Sequence, residues 1–306
     1  MRRWVWLAAI ALAMPAIAQE PPTPASVVAA AKAEEWKAID PADLLIMELA
    51  PEASGQPRMV VIQLLPPPFS QGWIGNIRTL ATAHWWDGTT VYRVVDNWVT
   101  QWGDGEDDKA KAKPLPEGLR VVPESEYVVR SDVTLLAAMP AYDGGGRDSY
   151  ASYTGFDVGW PFASDSDVLW PTHCYASVGV ARDLSPDTGT GAELYAVIGH
   201  APRQLDRNIA VVGRAIEGIE HLSVLPRGKG EAGVYDDPKL RVPIVSVRLG
   251  NELPGPPRFQ YLDTESASFA EYVRVKANRN DSFYKVSAGG IDVCNVQVPI
   301  RRVPAK

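Results

Sequence analysis

Arg93 is the one cation in the stretch from Trp85 to Asp104, whose only other charged residues are Asp87, Asp96 and Asp104, and its neighbours suggest what it could do. Asp87-Gly88 and Asp96-Asn97 punctuate the stretch as turns, and Val, Tyr, Trp and Thr fill two strands around the second turn. By strand alternation, Val91, Arg93 and Val95 share one face and Tyr92 and Val94 the other, while Trp98 and Thr100 alternate with Val99 and Gln101. A hairpin of this kind sets Arg93 beside large apolar rings. A guanidinium there is a permanently charged, planar, forked donor that does not titrate near neutral pH. That suits non-covalent stabilisation of a polar, strained substrate held by an apolar surface. The plainer alternative is an exposed or ion-paired arginine on a sheet.

Other chemistries find little support in the chain. His84, His173, His200 and His221 are scattered, with no pair at metal-ligand spacing, so they read as hydrogen-bonded structural residues. Tyr175-Ala-Ser177-Val-Gly179 misses the Gly-x-Ser-x-Gly elbow. His173 and Cys174 are adjacent, which on a strand points them to opposite faces and speaks against a thiolate pair. Gly228-Lys229-Gly230 lacks phosphate-loop spacing. The charged run at 105–113 lacks the alternating oxygens and central glycine of a calcium loop and reads as solvated. No metal and no cofactor are expected.

The stretch around Arg93 resembles the signature of the cyclophilins, Phe-His-Arg-(two apolar)-x-x-Phe-(apolar)-x-Gln-Gly-Gly-Asp. Arg93, Trp98, Gln101, Gly103 and Asp104 fall on that pattern without a gap; Val91, Tyr92 and Trp102 depart from it. The resemblance resumes at residues 175–182, is lost over 114–171, and returns at 193–198 and 205–218, where Leu205-Asp206 and Gly213 fall on family positions. It implies a peptidyl-prolyl cis-trans isomerase built on a closed eight-stranded antiparallel β-barrel capped by two helices. It also implies roles. Arg93 would donate to the prolyl amide as it twists, and Gln101 would orient Arg93 and contact substrate backbone. Trp98, Val99, Tyr195 and Leu205 would form the proline slot, with Ala181 lining the neighbouring groove. Ile209 stands in place of the family's histidine, Arg182 in place of its asparagine, and Gln204 in place of a tryptophan that contacts cyclosporin, which argues against that ligand. The partners implied are proline-containing segments of unfolded or exported proteins. A second reading is a catalytically weak binding module or holdase whose pocket still grips proline.

These residues need a frame of about the size available. With 306 residues, 46% of them hydrophobic, the chain can build a large core. Residues 1–18 carry Arg2 and Arg3, an apolar run over 4–13 and Ala16-Ile17-Ala18, the pattern of a signal peptide cleaved before Gln19. Export to the periplasm follows, as a monomer without a membrane span. Loss of both leader arginines takes the formal charge from −7 to −9, which disfavours nucleic acid as a partner. In an exported chain Cys174 and Cys294 read as a disulfide, against the alternative of two buried thiols. Such a bridge would restrict the unfolded chain by roughly 4 to 5 kcal/mol in the loop-entropy view.

The spacing predicts a helix over 26–39 started by Ser26, strands over 44–49 and 59–65, a helix over 69–83 capped by Ser70, and a strand over 242–249. The organisation expected is a helical N-terminal extension at 19–43, a cyclophilin-like domain at 44–250 and a small α/β extension at 251–306. A mostly irregular insertion occupies about 115–171 of the domain. Within the tail, 265–277 reads as helix and 291–300 as strand.

Overall fold

The computed structural model describes residues 20–106, 108, 110–130 and 148–303. The signal-peptide pattern at 1–18 lies outside them, as do residues 131–147 of the insertion. Among the described residues no helix is long and apolar enough to cross a membrane.

Eight strands close into an antiparallel barrel. The first strand of the chain, β1 (Trp36–Ala38), lies outside it. β2 (Leu44–Leu49) and β3 (Arg58–Leu64) open the barrel, and β4 (Thr90–Val94) and β5 (Val99–Gly103) form the hairpin around Arg93. An inserted sheet follows as β6 (Val129–Arg130), β7 (Tyr153–Asp157), β8 (Trp160–Asp165) and β9 (Val168–Pro171). β10 (Ser177–Val180), β11 (Leu194–Val197), β12 (Val211–Glu217) and β13 (Val242–Leu249) complete the barrel, in the order β10-β11-β5-β4-β13-β2-β3-β12. Helix α1 (Gln71–Thr82) closes one end, burying Trp73, Ile74, Ile77, Leu80 and Ala81 at helical spacing. The second cap is a single turn, Glu220–Ser223, whose Leu222 is buried in the barrel core.

The near-continuous apolar strands have a simple cause. On β2, Leu45, Met47 and Leu49 point into the barrel while Leu44 and Ile46 face an outer layer; on β3, Val60, Ile62 and Leu64 point in while Val61 points out. That outer layer joins both ends of the chain. β1 pairs with β14 (Phe259–Leu262), which pairs with β15 (Ile300–Arg302), and helix α2 (Ala267–Ala277) buries Phe269, Tyr272 and Val273 beneath them. Cys174 and Cys294 are joined by a disulfide that ties the layer to the barrel.

Four local expectations are corrected. The 26–39 helix is instead a short helix at Pro24–Ala30 capped by Thr23, a 3₁₀ turn at Ala33–Glu35 and then β1. Pairing of Trp36–Ala38 with β14 overrides its local helix preference. Ser70 precedes α1 in a left-handed conformation and makes no side-chain cap. The described part of the insertion is a four-stranded antiparallel sheet, ordered β6-β9-β8-β7, rather than irregular chain. Gly159, at φ +81°, turns β7 into β8 so tightly against Tyr261 that a Cβ would lie 2.6 Å from its ring. Residues 291–300 hold a 3₁₀ turn at Val293–Asn295 and enter a strand only at Ile300.

Candidate active site

β4 and β5 pair so that Arg93 lies directly opposite Gln101. A register shift between Val91 and Arg93 breaks simple alternation, so Val91 and Val94 both point into the core and Arg93 stays on the outer wall. This corrects the expectation that Val91 and Arg93 share a face. Arg93 Nη1 donates to Gln101 Oε1 at 2.7 Å, and the guanidinium sits 5.6 Å from the Trp98 ring centroid. Burial pushes the Arg93 pKa below the ordinary arginine value.

Trp98 is held by the turn between the strands, where Asn97 adopts φ +51° and Gly199 packs so closely that a Cβ would lie 2.1 Å from the Asn97 carbonyl carbon. Beside it, Val99, Tyr195 and Val197 form a small buried cluster on the outer wall, with Val95, Trp98, Ala181 and Ile209 packed on it. Val99, Tyr195 and Val197 are nearly fully buried, so the half-buried Trp98, Ala181 and Ile209 present the apolar surface. Leu205 is half-buried in a 3₁₀ turn at Arg203–Leu205 and is not packed on this cluster. A groove of about 450 Å³ runs past Gln101, Ala181, Arg182 and Glu193, and a hollow of about 340 Å³ lies beside Trp98, His200 and Gln204.

Two supporting networks were not visible in the sequence. In the first, Gln101 Nε2 donates to the Tyr92 hydroxyl, which donates to Glu193 Oε2 at 2.9 Å; Glu193 Oε1 accepts from Asp104 N at 2.8 Å. Thus the Gly-Asp of the signature receives the Glu193 carboxylate. Burial raises the pKa of Glu193 and, together with the neighbouring Glu193 charge, that of Tyr92. In the second, the buried His173 lies between Asp206 (Nδ1 to Oδ1, 2.9 Å) and the Tyr195 hydroxyl (Nε2, 2.8 Å). Arg203 Nε donates to Asp206 at 2.5 Å and its other nitrogens to Asp148. Burial works against ionisation of Asp206, but the His173 and Arg203 contacts outweigh it and hold its pKa below the usual carboxylate range. The effect is to fix Tyr195 at the base of the cluster. The one sequence signal was Leu205-Asp206 within a matching block.

A third feature covers part of Arg93. Residues 228–235 run alongside β4, with Gly228 N donating to Val94 O, Tyr235 N to Tyr92 O, and Ala232 O accepting from Arg93 Nε at 2.6 Å. Among the described residues no group of three or more His, Cys, Asp or Glu side chains is placed to hold a metal.

The family of cyclophilin type peptidyl-prolyl cis-trans isomerase/CLD matches residues 73–249, which span more than half the chain and contain the whole Arg93 site. The chain belongs to the cyclophilin-type peptidyl-prolyl isomerases. Its activity is therefore cis-trans isomerisation of X-Pro bonds, and cyclophilins bind proline-containing peptides. Cyclophilin AquaCyp293 from Hirschia baltica shares the fold at TM-score 0.66 and 22% identity, over 94% of this chain and 99% of that one. Two structures of a Cryptosporidium parvum cyclophilin type peptidyl-prolyl cis-trans isomerase, one with the dipeptide Ala-Pro, are more distant. They have TM-scores of 0.39, identities of 10% and 13%, and coverage of 67% and 68% of this chain and 98% and 96% of theirs. Comparison with curated proteins finds no sequence match.

Proposed function

We propose that this cyclophilin assists the folding of exported proteins, with Arg93 stabilising the twisted prolyl amide. Rotation about X-Pro must break amide resonance, at a barrier of about 20 kcal/mol, and needs no covalent step. In the twisted amide the nitrogen is more basic and pyramidal, so a fixed donor beside the proline ring favours it over either planar form. The observation that carries this reading is the Arg93–Gln101 hydrogen bond beside the apolar surface of Trp98, Ala181 and Ile209. Trp98, Ala181 and Ile209 present the proline-binding wall, with Val99 and Tyr195 buried behind it; Leu205 stands in the adjoining turn, its carbonyl accepting from Ile209 N. Periplasmic export rests on the pattern in residues 1–18, and cleavage there would yield a chain beginning at Gln19.

A second reading is favoured by a specific contact. Arg93 Nε is already committed to Ala232 O, and the Gln101 amide is engaged at both its oxygen and its nitrogen. A site so occupied could grip proline and turn over slowly, as a binding module or holdase. Measuring cis-to-trans conversion of proline test peptides by the mature chain and by Arg93→Ala separates the two. Acceleration that Arg93→Ala largely loses supports the isomerase mechanism; equal acceleration by both folded proteins rejects the role of Arg93, and no acceleration by either leaves peptide binding.

A further inference from the structure

Arg214 lies in the barrel wall remote in sequence from the Arg93 hairpin, beneath the inserted sheet and the terminal layer. Three of its N–H groups are used: Nε and Nη2 donate to Gln63 Oε1 at 3.1 and 2.8 Å, and Nη1 donates to Gly159 O at 2.8 Å. Its carbon Cζ stands 4.1 Å from the Trp160 ring centroid. All of these partners are neutral. Among the described residues no carboxylate forms an ion pair with the half-buried Arg214, whereas the more deeply buried Arg203 has both Asp148 and Asp206. Burial accordingly pushes the Arg214 pKa down.

An enclosed cation without a counter-ion is costly, because the field it lost from water is only partly replaced by amide oxygens and a ring face. The cost has a use if an anion arrives. Arg214 is half-buried and forms part of the wall of a cavity of about 280 Å³. The remaining wall is mainly apolar, including Trp160, Ile216, Val293, Val298 and the Cys174–Cys294 disulfide, with the exposed Tyr175 also on its lining. An apolar cavity of roughly 150 Å³ is enough to hold benzene, so this one has room for an aliphatic or aromatic body of about ten carbons. The second N–H on each of Nη1 and Nη2 would supply the paired donors that a carboxylate takes in a forked contact.

We propose that this cavity is a binding site for a small amphipathic acid, its anionic head on Arg214 and its apolar body against the wall beneath the terminal layer. The site is separate from the prolyl surface, with which it shares no lining residue. Calorimetric titration of the full mature chain with decanoate, and with decan-1-ol as the uncharged counterpart, tests it. Decanoate should saturate a single site, decan-1-ol should bind at least tenfold more weakly, and Arg214→Met should weaken decanoate at least tenfold while Arg214→Lys recovers part of the loss. Ile216→Trp, which fills the cavity and leaves the cation in place, should abolish decanoate binding. If Arg214→Met fails to fold, the decanoate to decan-1-ol ratio and the Ile216→Trp result still decide. The proposal is overturned by no saturable decanoate binding, by equal affinity for the two probes, or by decanoate binding unchanged in Ile216→Trp.

Discussion

Two arginines on this barrel are built into nearly the same local arrangement. Arg93 on β4 faces Gln101 on β5, and Arg214 on β12 faces Gln63 on β3; each guanidinium donates to the opposing glutamine oxygen and lies over a tryptophan ring. They differ in what covers them. Arg93 sits at an outer wall with half-buried apolar side chains around it, while Arg214 lies beside a partly open cavity lined by the inserted sheet and the terminal layer. On the readings proposed above, one cross-strand motif presents charge to a peptide at one place and to a cavity at another. Residue type and strand register set the motif; the surrounding chain decides its use.

The cover over Arg214 is the first thing to remove. Cys174 and Cys294 are separated by 120 residues and join the terminal layer to the barrel. Replacing both with serine should lower unfolding stability by about 3 kcal/mol, because the unfolded chain regains the freedom of a long loop. Urea denaturation measures this, and hydrogen exchange should show the loss concentrated in β14, β15 and α2. Unchanged stability in both would mean that apolar packing alone holds the cover.

The next effect sharpens the other side. Asp206→Asn weakens the bracing of His173 and Tyr195 behind the prolyl wall and should cost about 2 kcal/mol at neutral pH. The pH dependence has a definite sign. The folded pKa of Asp206 lies below its unfolded value of about 3.9, so its stabilisation is present above that pH and is lost as pH falls through the folded value. Wild type should therefore lose stability more steeply than Asp206→Asn as the pH falls below about 4. Parallel acid profiles would show that the carboxylate is not held ionised by His173 and Arg203.

The smallest change in stability is expected for Trp98→Ala. Trp98 is half-buried, and its contact with Arg93 at 5.6 Å is worth about 1 kcal/mol or less at such a site. Peptide affinity, by contrast, should fall several-fold in a fluorescence or NMR titration, because one face of the apolar wall is gone. A variant that unfolds readily yet binds peptide normally would place Trp98 in the framework rather than at the binding surface.

What the sequence made legible was mostly local. Arg93, Trp98, Gln101, Gly103 and Asp104 lie within a dozen positions, and α1 and β13 announce themselves by periodicity and by a run of β-formers. What it hid depended on distant pairing. Trp36–Ala38 is a strand only because Phe259–Leu262 lies beside it, and residues 26–39 alone look helical. Tyr153–Asp157 and Trp160–Asp165 carry glycine, proline and serine that suggest loop, yet they pair along their length once Phe162 and Trp160 find the core. His173 and Glu193 gave no spacing signal, since His173 meets Asp206 and Tyr195 33 and 22 residues on, and Glu193 meets Tyr92 101 residues back. The register shift at Arg93 left no mark at all, and it is what keeps that side chain on the outer wall.

The most direct measurement is NMR exchange of a proline peptide at saturating enzyme, comparing the on-enzyme cis-trans interconversion rate and the peptide Kd for wild type and Arg93→Ala. The account predicts an interconversion rate about a hundredfold lower in Arg93→Ala, with Kd changed only a few-fold, since the guanidinium acts on the twisted amide rather than on the ground state. An interconversion rate that survives the substitution, or a loss confined to Kd, would contradict it.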